Sequence, residues 1–213
     1  MSAICYIVGA SPDIGPLPIQ PGPGDCIIAA DGGYARLKER GLQPDVAVGD
    51  FDSLGFVPDG AHAYAKEKND TDMMLAIRLG LQKGYRSFEL YGGLGGRIDH
   101  TVANIQALLF LARRGARGTL VMRATRATVI QRDSIAFHTA GFGTLSIFSL
   151  DGESRGVTAR GFKYPLVDAT LTNEFPLGVS NEFIGEKSSV SVRDGTLLII
   201  WEAKNTADAI SPA

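Results

Sequence analysis

The stretch CIIAADGGYARLKERGLQPDVAVGDFDS, at Cys26–Ser53, decides the fold. It begins with an apolar run at Cys26–Ala30, continues into a predicted helix at Tyr34–Arg40, and then enters a second apolar run at Asp45–Val48. A short strand followed by a helix and another strand is the unit from which parallel sheets are built. The stretch therefore predicts an α/β fold with a mostly parallel sheet.

The same alternation continues on both sides of this stretch. The further predicted elements are strands at Ile4–Val8 and Phe88–Tyr91 and helices at Thr71–Lys83 and Asp99–Arg114. After residue 117 the pattern changes to short strand candidates separated by glycine or charged turns. We therefore expect an α/β domain at residues 1–120 and an all-β antiparallel sandwich domain at residues 121–213.

Composition excludes several classes of protein. The 213 residues are 45% hydrophobic and 21% charged, as in globular proteins and unlike disordered or fibrous chains. The apolar stretch Ala107–Ala112 is far shorter than the roughly 20 residues of a membrane span. No basic segment precedes the first apolar run, so a signal peptide is not expected. Cys5 and Cys26 are then two reduced, buried thiols, and we expect a cytoplasmic protein.

Acidic residues concentrate between Asp45 and Asp72, where seven carboxylates accompany two lysines. This charge argues against nucleic-acid binding. Asp50 and Asp52 follow a strand and would face the same side of an extended chain, which favours Mg²⁺ between them. An Asx-turn is the simpler alternative, although it explains one aspartate better than two.

Asp72 opens a predicted helix. Thr71 or Asp70 as the N-cap and Asp72 in the first turn would be ordinary capping, but Asp72 would also stand near the sheet edge of Asp50 and Asp52, where ligands bind in α/β proteins. Asp31 follows another strand at the same edge. Lys66 and Lys68, just upstream, meet either phosphate or solvent.

A glycine-rich segment, Gly92–Gly96, lies between a predicted strand and helix. Such a segment lets backbone amides approach phosphate, and Arg97 adds a planar cation, although a turn packed against a neighbour is the alternative. Its spacing matches neither a P-loop nor a dinucleotide fingerprint. Asp99 caps the next helix or meets a metal or substrate, and His100 is as easily structural as catalytic.

The predicted β domain has two conspicuous segments, Gly161–Leu166 and Gly178–Phe183, which we expect to be loops. Their aromatic, serine and asparagine side chains suit a small amphipathic ligand, and turn formation is the simpler explanation.

Taken in order, these motifs resemble the bacterial thiamine pyrophosphokinases. The matching segments are AADGGYARL (Ala29–Leu37), PDVAVGDFDSLG (Pro44–Gly55), TDMMLAI (Thr71–Ile77), YGGLGGRIDHTVAN (Tyr91–Asn104), GFKYPL (Gly161–Leu166), GVSNEF (Gly178–Phe183) and GTLLII (Gly195–Ile200). Each motif is weak alone, but GDFDS, GGRIDH and SNEF together are specific.

The resemblance implies a transferase that moves the pyrophosphoryl group of ATP to thiamine, giving thiamine diphosphate and AMP. It implies Mg²⁺ as cofactor and a homodimer with active sites at the subunit interface. Residues 1–120 would form the nucleotide-binding catalytic domain and residues 121–213 the thiamine-binding domain.

Residue roles carry over by position. The resemblance implies Asp50, Asp52 and Asp72 as metal ligands and, with Asp99, as catalytic carboxylates; Asp31, Gly93, Gly95, Gly96 and Arg97 on the ATP side; and Tyr164, Ser180 and Asn181 in the thiamine pocket. Asn69 departs from the family, which often has aspartate there, and Asp70 is positioned to compensate. The alternatives are a pyrophosphokinase for another hydroxymethyl heterocycle, such as a pterin, and a nucleotide-binding sensor without turnover.

Overall fold

The computed structural model describes residues 3–11, 15, 17–52, 54–63, 69–137, 143–202 and 210–211. The chain divides into two compact units, Met1–Arg123 and Ala124–Ala213. No helix in the described ranges is long and apolar enough to cross a membrane.

The first unit is built on parallel strands. Its strands are β1 (Ile4–Val8), β2 (Cys26–Ala30), β3 (Val46–Gly49), β4 (His62–Ala63), β5 (Ser87–Tyr91) and β6 (Arg117–Met122), and its helices are α1 (Gly33–Lys38), α2 (Asp72–Gln82) and α3 (Ile98–Ala112). The strands lie in the order β6-β5-β1-β2-β3-β4, and every pairing among them is parallel. The predicted α/β fold is therefore confirmed.

Burial explains why the central strands carry apolar residues on both faces. All five residues of β2 are buried, because α1 and α2 pack against this strand while its edges pair with β1 and β3. Cys5 and Cys26 are free, buried and paired in register on β1 and β2.

The second unit is an antiparallel sandwich, as the sequence predicts. Its strands are β7 (Thr125–Gln131), β8 (Ser134–Phe137), β9 (Thr144–Ser149), β10 (Glu153–Arg160), β11 (Leu166–Thr172), β12 (Gly178–Glu182), β13 (Ser188–Ser191), β14 (Thr196–Glu202) and β15 (Ile210–Ser211). One sheet has the order β12-β9-β14-β7 and the other β11-β10-β13-β8-β15. Inward side chains of both sheets form one core, in which Phe137 packs edge-on against Trp201 and Phe183.

Three strands of the sandwich were not expected from the sequence, namely β11, β12 and the two-residue β15. β11 is an edge strand with mostly exposed or half-exposed side chains, so it lacks the apolar run that marks a buried strand. β12 is also an edge strand, and it occupies a segment that the sequence assigns to a loop. The loop prediction for Gly178–Glu182 is therefore wrong.

Gly33 sets how closely α1 approaches the sheet. A Cβ atom at this position would lie 1.8 Å from the carbonyl oxygen of Val8, at the end of β1. Only glycine therefore lets the start of α1 sit beside the carboxyl end of β1.

We expect Gly33→Ala to lower the free energy of unfolding by about 2 kcal/mol or more, because the added methyl must displace backbone. Urea unfolding followed by circular dichroism measures the effect. Gly22→Ala is the matched control, since a Cβ there meets only Asp25 Oδ2 at 3.6 Å. Equal stability of the two variants would contradict this account of the α1 contact.

Candidate phosphate-binding site

A cavity of about 690 Å³ opens at the carboxyl edge of the parallel sheet in residues 1–123. Its walls come from the segments that follow β1, β2, β3 and β5 and from the first turns of α2 and α3. β2 and β5 flank β1 on opposite sides, so this edge is the topological switch point of the sheet. Open α/β sheets bind their ligands at such points.

The cavity brings together most of the site residues predicted for this unit. Its lining includes Asp31, Asp50, Asp72, Gly93, Gly95, Gly96 and Arg97. Asp52 and Asp99 do not line it, and both side chains are exposed. Ser53, Lys66 and Lys68 lie outside the described residues.

The loops after β2 and β3 are joined by a hydrogen bond and a close contact. The Asp31 N–H donates to the carbonyl of Val48 at 2.8 Å, and a Cβ on Gly49 would lie 3.0 Å from Asp31 Cα. Asp31 adopts a left-handed φ of 47°, which turns the chain sharply at the end of β2. This turn places Asp31 at the cavity.

The expected extended conformation at Asp50–Asp52 is wrong. Phe51 has a left-handed φ of 56°, and the Asp52 N–H donates to Asp50 Oδ1 at 3.2 Å, which makes the Asx-turn that was the simpler alternative. The Phe51 side chain is buried in the core, and its burial offsets the backbone strain. As a result, Asp50 lines the cavity while Asp52 is exposed.

Two helices begin at the cavity. Thr71 is the N-cap of α2, and its Oγ1 accepts from the Met74 N–H at 3.2 Å, so the capping prediction is confirmed. Arg97 precedes α3. Helix N-termini present backbone N–H groups and a partial positive charge, which favours phosphate.

Asp70 lines the same cavity, and its charge is partly neutralised. The Arg78 Nε atom lies 2.9 Å from Asp70 Oδ2. Asp70 thus supplies a carboxylate beside Asn69, but one that already has a cationic partner. This pair limits how far Asp70 compensates for the amide at position 69.

The glycine segment after β5 is held by α3. The Asn104 Nδ2–H group donates to the carbonyl of Gly93 at 2.7 Å, and this bond is buried. A Cβ on Gly93 would lie 2.6 Å from Leu120, so the segment packs tightly against its neighbours. Gly95 and Gly96 have φ values of 77° and 71° and line the cavity. The glycine segment is therefore packed against its neighbours at Gly93 and exposes its backbone to the cavity at Gly95 and Gly96, so both interpretations of the sequence apply.

Arg97 and Asp99 form an ion pair at the cavity rim. Arg97 Nε donates to Asp99 Oδ1 at 3.1 Å, and Arg97 Nη2 donates to Asp99 Oδ2 at 2.5 Å. The hydrogen bond from Arg97 lowers the pKa of the Asp99 carboxyl. Asp99 is therefore ionised at neutral pH and a weak proton acceptor.

The acidic stretch between Asp45 and Asp72 contains both structural carboxylates and carboxylates that line the cavity. Asp45 is structural, because its Oδ2 accepts from the Ile27 N–H at 2.7 Å. The carboxylates that line the cavity are Asp31, Asp50, Asp70 and Asp72. Among the described residues, no group of three or more acidic, histidine or cysteine side chains is arranged to hold a metal ion.

The predicted ligand residues of the second unit lie together. Asn181 is buried on β12; its Oδ1 accepts from the Tyr164 N–H at 3.0 Å, and its Nδ2–H donates to the Tyr164 carbonyl at 2.7 Å. Tyr164 is 59% exposed. Ser180 has a left-handed φ of 57° and an exposed side chain. Asn181 therefore fixes the segment that presents the Tyr164 ring.

Sequence reasoning missed two parts of the cavity. Gly9 and Ser11 line it after β1, and the strand-end rule that identifies Asp31 would have found them. Asn104 also lines it, one helical turn beyond His100. That i, i+4 spacing on α3 was the available signal.

Carboxylates, a glycine segment and two helix N-termini at the switch point of a parallel sheet are typical of phosphate-binding α/β proteins. The family model "Thiamin pyrophosphokinase, catalytic domain" matches residues 24–120, and "Thiamin pyrophosphokinase, vitamin B1 binding domain" matches residues 133–197. The chain belongs to the thiamine pyrophosphokinase family.

Individual relatives agree with this assignment. The thiamine pyrophosphokinase of Bacillus subtilis is 28% identical, over 81% of this chain and 85% of that protein. A crystal structure of the Bacillus subtilis protein has a TM-score of 0.83 at 25% identity and covers 96% of this chain and 100% of that chain. The Geobacillus thermodenitrificans structure has a TM-score of 0.81 at 29% identity, with 97% and 100% coverage.

We expect Asn104→Ala to lower the free energy of unfolding by about 1–3 kcal/mol, because it leaves the Gly93 carbonyl buried without its donor. It should also speed amide hydrogen exchange at Gly95 and Gly96. Gln106→Ala, on the exposed side of α3, is the control. Unchanged exchange in Asn104→Ala would show that the glycine segment does not depend on this bond.

Proposed function

We propose that the chain transfers the pyrophosphoryl group of ATP to the hydroxyl of thiamine, releasing AMP. The observation that carries this proposal is the ordered match of both family domains along the chain. The cavity of residues 1–123 supports it, since it combines glycine backbone with carboxylates. A pterin-type acceptor and a sensor without turnover are not favoured, because the match includes the vitamin B1 binding domain.

A divalent cation fits the donor set of the cavity. Mg²⁺ is usually held by one or two carboxylates together with waters and substrate phosphates. Asp50 and Asp72, with Asp31 nearby, supply such oxygens in one cavity, and we retain Asp52 in the proposed ligand set on the resemblance. When bound, Mg²⁺ would neutralise the phosphate charge that these carboxylates otherwise repel.

The chain's own groups position the reactants. The amides of the glycine segment and of the two helix N-termini bind phosphate oxygens, and Arg97 adds charge-assisted hydrogen bonds. The thiamine hydroxyl oxygen attacks the β-phosphorus, and the bond from that phosphorus to the α–β bridging oxygen breaks, so that AMP leaves. Positioning and electrostatic stabilisation supply most of the rate in such transfers.

The hydroxyl proton requires an acceptor. Asp99 is a poor one because Arg97 lowers the pKa of its carboxyl. Asp72 lines the cavity and is assigned the role of orienting the hydroxyl, whose proton passes to solvent, because a carboxylate held by the cation is itself a weak proton acceptor. Asp99 then acts as a positioning residue that holds Arg97 at the rim.

Thiamine binding is assigned to residues 121–213 and nucleotide binding to residues 1–120. In the former, the exposed Tyr164 side chain suits the cationic ring of thiamine, and Ser180 precedes Asn181 on β12. Asn181 contributes by holding the Tyr164 backbone.

A homodimer with active sites at the subunit interface completes the proposal. The exposed apolar side chains of the second unit support it, among them Val167 at 77% and Phe175 at 66% exposure. Sedimentation velocity tests it, and a monomer mass at micromolar concentration would contradict it.

The products of a reaction with MgATP and thiamine test the function. AMP and thiamine diphosphate should form in a one-to-one ratio, resolved by chromatography. ADP with thiamine monophosphate would keep the substrate but reject attack at the β-phosphorus as the reaction. No turnover by the folded protein would reject the function.

We expect Asp50→Asn and Asp52→Asn each to lower kcat by about 100-fold or more, because each removes a charge proposed to hold the cation at the phosphates. Asp59→Asn, an exposed carboxylate in the same acidic stretch, is the matched control. Near-normal turnover of Asp52→Asn would remove Asp52 from the metal site, in keeping with its exposed position.

We expect the double variant Ser180→Ala, Asn181→Ala to raise KM for thiamine by about tenfold or more while KM for ATP changes little, since the lost hydrogen bonds lie in the second unit. Steady-state kinetics with each substrate varied separately measures both constants. Asn173→Ala serves as a control on the same unit. A larger effect on ATP would place Ser180 and Asn181 outside the thiamine pocket.

A further inference from the structure

A second concave surface, the arginine groove, lies on the helices of residues 1–123, away from the sheet edge. Its volume is about 380 Å³, and it is lined by Arg78, Leu81, Gln82, Arg86, Phe110 and Arg114. Three of these six side chains are guanidinium groups, and none is a carboxylate. The groove shares no lining residue with the carboxylate cavity.

An aromatic ring fixes two of the cations. The Arg114 guanidinium carbon lies 3.4 Å from the centroid of the Phe110 ring, and that of Arg78 lies 4.9 Å from it. Cation–π contacts of this kind restrict the guanidinium groups without neutralising them. The groove therefore presents positioned positive charge.

Two of the arginines retain most of their hydrogen-bonding capacity. Arg86 Nη1 donates to the Tyr85 carbonyl at 2.8 Å, and Arg114 Nη1 donates to the Phe110 carbonyl at 3.1 Å. Arg86 Nη1 also makes a longer bond to the Leu81 carbonyl, at 3.5 Å. Each guanidinium has five N–H donors, so these bonds to backbone carbonyls occupy only a minority of them. Within the part of the chain that the structure describes, neither arginine pairs with a carboxylate.

Arg78 connects the groove to the cavity. Its Nε lies 2.9 Å from Asp70 Oδ2, and its Nη2 lies 3.5 Å from Asp70 Oδ1. Asp70 lines the cavity, whereas Arg78 lines the groove. A single ion pair thus borders both sites.

We propose that the arginine groove binds a small polyphosphate anion, and that this anion competes with Asp70 for Arg78. Guanidinium groups match phosphate oxygens in geometry as well as charge, and three of them suit a ligand with several negative charges, such as inorganic pyrophosphate. Because coupling between two sites is reciprocal, occupation of the groove alters the electrostatics of the carboxylate cavity. This inference does not depend on the proposed function.

Calorimetric titration with inorganic pyrophosphate in EDTA tests the groove. EDTA removes the divalent cation on which anion binding in the carboxylate cavity is proposed to depend, so binding to the groove is favoured. Wild type should bind one pyrophosphate per chain, and the double variant Arg86→Gln, Arg114→Gln should bind at least about tenfold more weakly. Arg113→Gln, an exposed arginine at the same end of α3 but outside the groove, should bind like wild type.

A second comparison tests the competition for Arg78. Asp70→Asn should tighten pyrophosphate binding severalfold, because Arg78 loses its competing partner. Asp72→Asn removes the same charge from the cavity without touching this ion pair and should not tighten binding. Equal effects of these two substitutions would overturn the competition.

Absence of binding by wild type, or equal binding by the double variant, would overturn the groove as an anion site. The two single variants Arg86→Gln and Arg114→Gln provide the same reading if the double variant is unstable. Urea unfolding of each variant establishes that a loss of binding does not reflect a loss of structure.

Discussion

Parallel pairing is the constraint on which the first unit depends. Because β1, β2, β3 and β5 run in the same direction, the segments that follow them meet at one edge of the sheet. Residues far apart in the chain, such as Asp31 and Arg97, therefore line one cavity. The close approach of α1 to β1 at Gly33 adds a helix to the same edge, and it is possible only because glycine has no side chain.

Backbone strain at this edge is offset by packing elsewhere. Phe51 has an unfavourable left-handed conformation, and its ring is buried in the core of the unit. The same residue turns Asp50 into the cavity and leaves Asp52 exposed. Burial of an apolar ring thus determines where a charged group lies, which links core packing to the chemistry of the cavity.

Two ion pairs of the first unit lie at the borders of its two concave surfaces. Arg97 is held by Asp99 at the rim of the cavity, and Arg78 is held by Asp70 between the cavity and the arginine groove. The cavity itself is rich in carboxylates, so the proposed reaction pairs its polyanionic substrate with a cation. In the proposed reaction that substrate is ATP. The arginine groove is lined by cations instead, and it is proposed to bind an anion that carries no metal.

The sequence by itself determined the α/β unit, the antiparallel sandwich and the family, because apolar periodicity and glycine-rich motifs are formed by residues that are close together in the chain. It also predicted that Asp31, Asp50, Asp72 and the glycine segment lie at one edge of the sheet, since that prediction needs only the order of the strands and helices. Only the tertiary structure decided that Asp52 is exposed, that Asn181 lies on a strand and that Asn104 holds Gly93. Those outcomes depend on one left-handed residue, on edge pairing and on contacts between distant segments, none of which a residue pattern specifies.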